Sequence, residues 1–544
     1  MKNRYSICGN IVDVVNKKIF TGTITVENGI IKSISKSECA NNFFILPGFV
    51  DAHVHIESSM LIPSKFTYLA VKNGTVATVS DPHEIANVLG IEGIKFMIEN
   101  AKQSPLKIYF GAPSCVPATP FETSGAIISA KEIEILFRDY NLTYLSEVMN
   151  FPGVINQIPD VIEKINIAKK YNRVIDGHAP GLRGEDLEKY IKAGIQTDHE
   201  AYTFEEAEEK IQKGMKILIR EGSAAKNFEA LHNLIDKYPE QIMFCTDDSH
   251  PDDLVEGHIN KIVAKAINLG HDLFNTLRAA TVNPKKFYKL QIGLLQPLDP
   301  ADFIIVNNLQ SFDVIQTYIN GKLVYDNGKF FLNEQQLSAI NNFNPSKISP
   351  QDLIITPEPN KKIKVIKAYD GELITDSFST TPKIQNNNII SDTQRDILKL
   401  VVLNRYKPAK PSIAFINGFN LKKGAIALSI AHDSHNILAV GTTDQNISLA
   451  INKLIDIKGG IVVFDENNFF TLSLPFAGLM TDNNPFQVAE KYKNLNKKVQ
   501  ELGSTLKAPF MTLSFMALLV IPKLKLSDKG LFDGTKFQFT SLFE

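Results

Sequence analysis

The sequence predicts an α/β protein built around a (β/α)8 barrel of the TIM type, flanked by short β elements and followed by a C-terminal α+β region. Three observations predict this class. Apolar strand candidates alternate with amphipathic helical stretches, polar residues stand at nearly every strand end, and the pattern changes near residue 350. Barrels of this type carry their functional groups at the carboxyl ends of their strands.

Two segments outside the barrel have the alternating pattern of β-strands. In the N-terminal segment, polar and apolar residues alternate at 11–15, and Asn28-Gly29 separates two more such stretches, which is a strong hairpin signal. The second segment has strand candidates at 302–306 and 314–325, with Asn320-Gly321 between the two strands of the latter. Both segments are therefore predicted to form β-hairpins.

Eight apolar strand candidates lie between these segments. They end at His55, Ser80, Gly111, Val148, Ile175, His199, Arg220 and Thr246. Amphipathic helical stretches separate most of them, for example 159–171, where Pro159 suits a first helical position that needs no backbone N–H. Eight strands with helical returns are the pattern of the (β/α)8 barrel.

The region after the barrel is predicted to be an α+β domain. Residues 346–362 are rich in Pro, Lys and Asp and are typical of a linker. Helices are predicted at 446–455 and 486–502, among several short strands. The apolar run at 511–521 is too short to cross a membrane and is predicted to be a buried strand.

Composition narrows the class of function. The 58 Lys and Arg residues balance 59 Asp and Glu residues, so no net charge favours nucleic acid or an anionic membrane, and a small substrate fits. The sequence shows neither a signal-peptide pattern nor a membrane-spanning run, so we expect a cytoplasmic protein, and we expect a homo-oligomer. The 4 cysteines form no CxxC pair, so neither a zinc knuckle nor a disulfide framework is predicted.

The stretch Leu46-Pro-Gly-Phe-Val-Asp-Ala-His-Val-His-Ile-Glu ends an apolar strand in a His-x-His pair. Residues two apart share a face of a strand, so His53, His55 and Glu57 project the same way if the strand pairing continues through them. Two imidazoles on one face can hold a metal ion. A carboxylate one step further can contact either a metal or a substrate.

Other strand ends supply more groups of the same kind. Taken in chain order, the metal-ligand candidates are His53, His55, Glu147, His178, His199 and Asp247. Four histidines and two carboxylates suffice for two divalent ions that share a ligand, and a set without thiolate suits zinc, manganese or iron(II). Asp247 has a second interpretation as the cap of the following helix.

This layout resembles the amidohydrolase superfamily, in which the fourth strand often carries a carboxylated lysine; here Glu147 would bridge instead. Further motifs resemble the adenine deaminases of that superfamily, over nearly the whole chain. They are Glu57-Ser-Ser-Met60, Asp81-Pro-His-Glu84, Arg220-Glu-Gly-Ser223, Cys245-Thr-Asp-Asp-Ser-His250 and Ala431-His-Asp-Ser-His-Asn436.

The resemblance implies hydrolytic deamination of adenine to hypoxanthine and ammonia, in purine base salvage. Two divalent ions are expected, Mn²⁺ or Fe²⁺, with Zn²⁺ as a third candidate, and a hydroxide bridging them would attack C6. Asp247 would pass a proton from this hydroxide to the leaving amine. Glu57 would protonate ring N1, with Glu84 and Glu221 as the other candidates.

The resemblance also implies a division into three domains. A composite β-domain is expected from 1–48 and 295–345, the catalytic barrel from 49–294, and the C-terminal α+β domain from 363–544.

Several residues keep two interpretations. The candidate substrate-binding residues are His83, Glu84, Arg220, Glu221 and Ser223. His83 and Glu84 could equally bind a further ion or cap the next helix, and Arg220 with Glu221 could be an exposed ion pair. His432 and His435 could be a metal pair, although packing or a domain interface is favoured, and His250 and His258 could support the site or act directly.

Two other functions are compatible with parts of this pattern. One is another binuclear-metal amidohydrolase that acts on a cyclic amide or an N-acetyl amino sugar, although a cyclic-amide hydrolase would more often carry Lys at position 147 and Arg at position 57. The other is a non-catalytic scaffold with the same fold, which would usually have lost ligand residues.

Overall fold

A computed structural model describes residues 4–333 and 337–544. The chain forms two compact units. The first comprises Met1–Pro82, Lys95–Ser114 and Ser129–Gln336, and the second comprises His83–Ile94, Cys115–Ile128 and Leu337–Glu544.

The strands of the first unit fall into three groups along the chain. The first group is β1 (Arg4–Asp13), β2 (Lys18–Glu27), β3 (Ile30–Lys36) and β4 (Phe44–Pro47). The second group is β5 (Phe49–Val54), β6 (Thr75–Ser80), β7 (Lys107–Ala112), β8 (Tyr144–Val148), β9 (Val174–Gly177), β10 (Thr197–Asp198), β11 (Lys216–Arg220) and β12 (Ile242–Cys245). The third group is β13 (Phe303–Val306), β14 (Val314–Ile319), β15 (Lys322–Asp326) and β16 (Lys329–Phe330).

The first and third groups form one eight-stranded sheet in the order β16-β15-β14-β13-β4-β1-β2-β3. β13 pairs antiparallel with β4, which joins the strands before the barrel to those after it. Both predicted hairpins are present, and their turns have positive φ at Asn28 and Gly29 and at Asn320 and Gly321, as their residue types favour. The domain boundaries given above stay a prediction.

The prediction of no disulfide is wrong for one pair. Cys8 in β1 and Cys39 after β3 are bonded, with their Cα atoms 5.8 Å apart. They lie 31 residues apart in the sequence, and they meet because the segment after β3 passes beside β1, where the Asn41 side chain donates to the Cys8 carbonyl, before it enters β4. Nothing in their spacing indicated this pairing.

The second group forms the parallel barrel. β5 to β9 pair in chain order, and so do β10 to β12. The barrel closes between its last and first strands, because the Asp247 amide donates to the His53 carbonyl at 2.9 Å and the His55 amide to the Asp247 carbonyl at 3.3 Å. The fold class predicted from the alternation is therefore confirmed, and each observed strand ends within two residues of its predicted end.

Helices connect these strands. They are α1 (Pro63–Lys72), α2 (His83–Leu89), α3 (Ile91–Ala101), α4 (Ala130–Asp139), α5 (Phe151–Ile155), α6 (Pro159–Lys170), α7 (Gly184–Lys192), α8 (Phe204–Gln212), α9 (Phe228–Leu231), α10 (Leu234–Lys237), α11 (Pro251–Glu256), α12 (Ile259–Asn268), α13 (Leu273–Ala279) and α14 (Val282–Tyr288). Pro159 opens α6 as predicted, and Ser129 with Glu132 forms a capping box on α4. Every residue of β5 and β6 is buried, as expected for strands covered on both faces.

The second unit contains a further eight-stranded sheet, ordered β18-β17-β22-β21-β24-β23-β25-β26. The strands of this unit are β17 (Ile363–Lys367), β18 (Asp376–Thr380), β19 (Lys383–Gln385), β20 (Asn388–Ile390), β21 (Leu398–Leu403), β22 (Ser412–Asn417), β23 (Ala425–Leu428), β24 (Ile437–Gly441), β25 (Gly460–Phe464), β26 (Phe469–Ser473), β27 (Leu524–Ser527), β28 (Gly530–Asp533) and β29 (Gln538–Phe539). Its later helices are α15 (Asp444–Asp456), α16 (Pro485–Glu501) and α17 (Pro509–Ser514). This mixture of strands and helices is the predicted α+β class.

The prediction of a strand at 511–521 is wrong. These residues begin inside α17, continue through a 3-10 helix at Phe515–Ala517, and then leave regular structure. Pro509 at the start of α17 favours a helix start, and a run that is apolar at every position has no period that separates helix from strand. Across the described residues, we find no helix with the length and apolar character needed to cross a membrane.

Candidate active site

Two histidines stand at the carboxyl end of β5. Their Nε2 atoms, on His53 and His55, lie 3.1 Å apart. Nδ1 of His55 donates to the backbone carbonyl of Asp81 at 3.2 Å, which leaves the lone pair of the neutral ring on Nε2. Both rings therefore face the same point, as strand alternation predicts.

Glu57 lies beyond the end of this strand. β5 ends at Val54, and a 3-10 helix at Ile56–Ser59 follows directly after His55. The condition under which Glu57 would share the strand face with the two histidines is therefore not met. Its side chain is nevertheless 3% exposed, and its part in proton transfer stays a prediction.

Asp247 follows β12 and lies against the two histidines. Its Oδ1 is 3.4 Å from Nε2 of His53 and 3.1 Å from Nε2 of His55. The helix-cap interpretation is wrong, because α11 begins at Pro251 and its N-cap residue is His250. The backbone hydrogen bonds that close the barrel hold Asp247 in this position.

Glu147 on β8 connects the remaining histidines to the first pair. Its Oε1 lies 3.4 Å from Nε2 of His55. Its Oε2 accepts from Nδ1 of His178 at 2.6 Å and lies 3.3 Å from Nε2 of His199. One buried carboxylate thus touches imidazoles from three different strand ends.

Each acid in this group is held ionised by its surroundings. Burial raises the pKa of Asp247, but the charge of Arg220 and the bonds from His53 and His55 outweigh it and hold that pKa well below its usual range. Burial acts in the same way on Glu147, whose pKa is held well below its usual range by His178 in particular. Burial lowers the pKa of His178, yet nearby carboxylates raise it to about 9.

The six candidate ligands fit a divalent cation. His53, His199 and Asp247 place their donor atoms within 4.8 Å of one another, and Glu147, His178 and His199 do the same. Two neutral imidazoles cannot both present lone pairs to each other at 3.1 Å without a proton or a cation between them. Nitrogen and oxygen donors without thiolate suit zinc, manganese and iron(II).

Arg220 lies inside this group. Its side chain is 2% exposed, and its guanidinium pairs with Glu200 and, at 2.6 Å, with Oδ2 of Asp247. Glu200 was not among the predicted site residues, although it directly follows His199 and its Oε1 lies 3.6 Å from that ring. The sequence signal that could have identified Glu200 was its place in the polar triplet Asp198-His199-Glu200 at the end of β10. The long side chain of Arg220 links Glu200 to Asp247.

Two other predicted residues have different neighbours. Glu221 pairs with Lys265 at 3.2 Å and lies 3.6 Å from Lys226. Ser223 donates to Asp253 at 2.6 Å. Their role in substrate binding stays a prediction.

The second unit contains a further buried cluster. Glu84, in the first turn of α2, forms short ion pairs with His432 and His435, and Nε2 of His83 lies 3.6 Å from Oε1 of Glu84. The sequence analysis left the role of all four residues open. The structure places them together and adds Asp433, whose Oδ1 lies 3.9 Å from Nε2 of His83.

His258 contacts residues of β5 and β6. Its ring contacts Oγ1 of Thr75 at 2.6 Å and Oδ2 of Asp51 at 2.9 Å. Asp51 also accepts from the backbone amides of His53 and Thr246, which belong to the two strands that close the barrel. His258 therefore contacts a residue that bonds to the backbone of His53, and its role in the site stays a prediction.

Comparison with known proteins matches both regions of the chain. The model of the amidohydrolase family matches residues 44–324, and that of the adenine deaminase C-terminal domain matches residues 372–538. An adenine deaminase of Methanosarcina mazei is 55% identical over 547 residues, covering 98% of this chain and 99% of that protein. An adenine deaminase of Sulfurovum sp. is 54% identical over 531 residues, covering 97% of this chain and 98% of that protein.

A solved structure of a beta-aspartyl dipeptidase from Fervidobacterium islandicum is 16% identical, with a TM-score of 0.46, and covers 61% of this chain and 100% of that one. The sequence matches alone carry the assignment. They extend over nearly the full length of both chains and over both compact units. The chain belongs to the adenine deaminase family of the amidohydrolases.

Proposed function

We propose that this chain hydrolyses adenine to hypoxanthine and ammonia. The observation that carries the proposal is the convergence of four imidazoles and two carboxylates at the strand ends of a barrel whose relatives are named adenine deaminases. In the reaction, the oxygen of one water molecule bonds to C6 of adenine and the bond from C6 to the exocyclic nitrogen breaks. Purine base salvage in the cytoplasm is the proposed role.

The six ligand candidates would hold two divalent cations, with Mn²⁺ and Fe²⁺ as first candidates and Zn²⁺ as a third. Such a pair lowers the pKa of a shared water towards neutrality and thereby supplies a nucleophile. Glu147 suits the shared position, because each of its oxygens contacts a different set of imidazoles.

Asp247 is the proposed base. Arg220 holds its Oδ2 at 2.6 Å, which directs its Oδ1 towards His53 and His55. A carboxylate anchored at one oxygen keeps its orientation through the reaction, so the other oxygen can accept the proton of the attacking water and deliver it to the amine.

Glu57 is the proposed acid. Departure of ammonia requires a proton on ring N1, and a buried carboxyl two residues after His55 can donate it. Glu84 and Glu221 are the other candidates, although Glu221 is paired with lysines. His83 and Ser223 remain proposed substrate contacts.

The domain division into 1–48 with 295–345, 49–294 and 363–544 is part of this proposal, as is a homo-oligomeric state, which light scattering would measure.

A substrate panel tests the function. The protein is loaded with Mn²⁺ and incubated with adenine, adenosine, a 6-substituted purine, a cyclic amide and an N-acetyl amino sugar, with detection of ammonia and of hypoxanthine. We expect release of both products from adenine and no turnover of the amides. Turnover of an amide without turnover of adenine would contradict the proposal, and so would a protein that binds metal but turns over none of these compounds.

A further inference from the structure

The buried cluster of the second unit consists of five side chains, His83, Glu84, His432, Asp433 and His435, which we call the C-terminal cluster. We propose that it is a third divalent metal site. It combines the first turn of α2 with the segment that connects β23 to β24. None of its members belongs to the ligand set of the barrel.

The contacts of Glu84 define the centre of the cluster. Its Oε1 pairs with Nδ1 of His432 and its Oε2 pairs with Nε2 of His435, both at short range. Nε2 of His83 lies 3.6 Å from the same Oε1. Three imidazole nitrogens therefore converge on one carboxylate whose own side chain is 2% exposed.

Asp433 supplies a second carboxylate on the same side. Its Oδ1 lies 3.9 Å from Nε2 of His83 and 4.0 Å from Nδ1 of His432. The donor atoms of His83, Glu84 and Asp433 all lie within 4.8 Å of one another. This places two carboxylates and two imidazoles around one point.

The separations can be compared with those of a coordination shell. Ligands about 2.1 Å from a common ion are about 3.4 Å apart in a tetrahedral site and about 3.0 Å apart as neighbours in an octahedral one. The separations that involve His83 and Asp433 run from 3.6 to 4.0 Å, somewhat above the tetrahedral spacing. The pairs of Glu84 with His432 and His435 are shorter and would have to open around an ion. An ordinary hydrogen-bonded pair accounts for two atoms at short range, but it does not require a third and a fourth donor to face the same point.

Charge gives an independent reason for a cation. Two carboxyl groups lie close together in a buried cluster, where a cation between them would offset their repulsion at low dielectric. Neutral imidazoles are good ligands for such a cation. Imidazole and carboxylate donors without thiolate suit zinc, manganese or iron(II).

The backbone around His435 is held in place, as expected of a ligand loop. The His435 amide donates to the Ala431 carbonyl at 2.7 Å. The buried Arg405 donates to the His435 carbonyl at 3.4 Å, and its own amide donates to the Asn436 side chain at 3.1 Å. Fixed loops of this kind lower the entropy lost when a metal is bound.

The test counts metal ions per chain. The full-length protein is loaded with Mn²⁺, desalted, and analysed by inductively coupled plasma mass spectrometry. The double variant Glu84→Gln/His432→Asn removes two proposed ligands at nearly constant volume. The matched control is Glu122→Gln, which replaces a buried carboxyl group of the same unit that accepts from Ser434 and is not one of the proposed ligands.

We expect the wild type and the Glu122→Gln control to hold one ion more per chain than the double variant, and to hold that extra ion also when His178→Asn weakens the barrel site. Equal metal content in the wild type and the double variant would overturn the proposal and leave the C-terminal cluster as a metal-free ionic network.

Crystals of the full chain grown with Mn²⁺ give a second readout that does not need the variant to fold. An anomalous peak between Glu84, His432 and Asp433 supports the site, and a map with peaks only among the barrel residues overturns it. Both measurements are independent of adenine turnover, so failure of the proposed activity and failure of this proposal are distinguishable.

Discussion

Arg220 allows a prediction whose size follows from its surroundings. In the metal-free protein its guanidinium, 2% exposed, compensates two buried carboxylates, Glu200 and Asp247. The substitution Arg220→Gln removes this charge and leaves both acids buried without their counter-ion. Breaking a buried ion pair by removal of one partner costs about 3–5 kcal/mol, whereas an exposed pair contributes about 0.2–1 kcal/mol.

Arg183→Gln is the matched control, because Arg183 pairs with Glu209 at 2.7 Å on the surface with its side chain 51% exposed. Urea unfolding with a chelator present, followed by circular dichroism, gives the free energy of unfolding of both variants. We expect Arg220→Gln to lose about 3–5 kcal/mol and Arg183→Gln to lose less than about 1 kcal/mol. The double variant Arg220→Gln/Glu200→Gln should recover part of the lost free energy of unfolding, because it also removes the Glu200 carboxylate that would lack the Arg220 guanidinium.

Two results would refute this reasoning. One is a loss for Arg220→Gln that is no larger than that of the surface control. For the other, the single variant Glu200→Gln is measured as well. A double variant whose loss equals the sum of the losses of Arg220→Gln and Glu200→Gln would refute the reasoning, since residues in one charge network are expected to couple.

Three further predictions concern other buried groups. Asp247→Asn should retain metal but lose at least about a hundredfold in kcat, because it removes the proposed base; turnover within a few fold of wild type would require another base. Glu57→Gln should lower kcat strongly with unchanged metal content, and metal loss in proportion to activity would assign Glu57 to the metal site instead. Lys525 is buried, which lowers its pKa from 10.5 to about 7. Between these two values the unfolded chain binds more protons than the native one, so the free energy of unfolding should rise with pH by up to about 1.4 kcal/mol per unit relative to Lys525→Met, and parallel pH profiles of the two proteins would contradict this.

The barrel strands were predictable because each is covered on both faces. In the sequence, such strands appear as short, continuous apolar runs, and the polar residues that follow them indicate their carboxyl ends. Six side chains from five such strand ends could therefore be predicted to lie together, even though the sequence does not show how the barrel closes. His53 and His55 are the simplest example, since strand alternation alone places both rings on one side.

The errors arise where local pattern does not determine structure. Glu57 lies two residues after His55, where a 3-10 helix replaces the strand. No residue type in that stretch indicated that the strand would end there. The run at 511–521 is uniformly apolar, so periodicity could not distinguish helix from strand. The pairing of Arg220 with Glu200 and Asp247 was not predicted, because the three residues come from different strand ends and meet only in the folded barrel. The substrate-binding role of Arg220 stays a prediction.

The hydrogen bonds between Asp247 and the histidine strand have a consequence for how the protein is made. The Thr246 amide bonds to Asp51, a residue 195 positions earlier, and the neighbouring Asp247 bonds complete the same seam. A nascent chain that has not yet released β12 carries His53 and His55 on an open strand edge, without the acid that completes the group. If the proposed metal ions bind only the closed barrel, they stabilise it by mass action, and their supply during synthesis should then raise the yield of folded protein. Residues proposed to bind the metal ions are thus also residues whose backbone hydrogen bonds close the barrel.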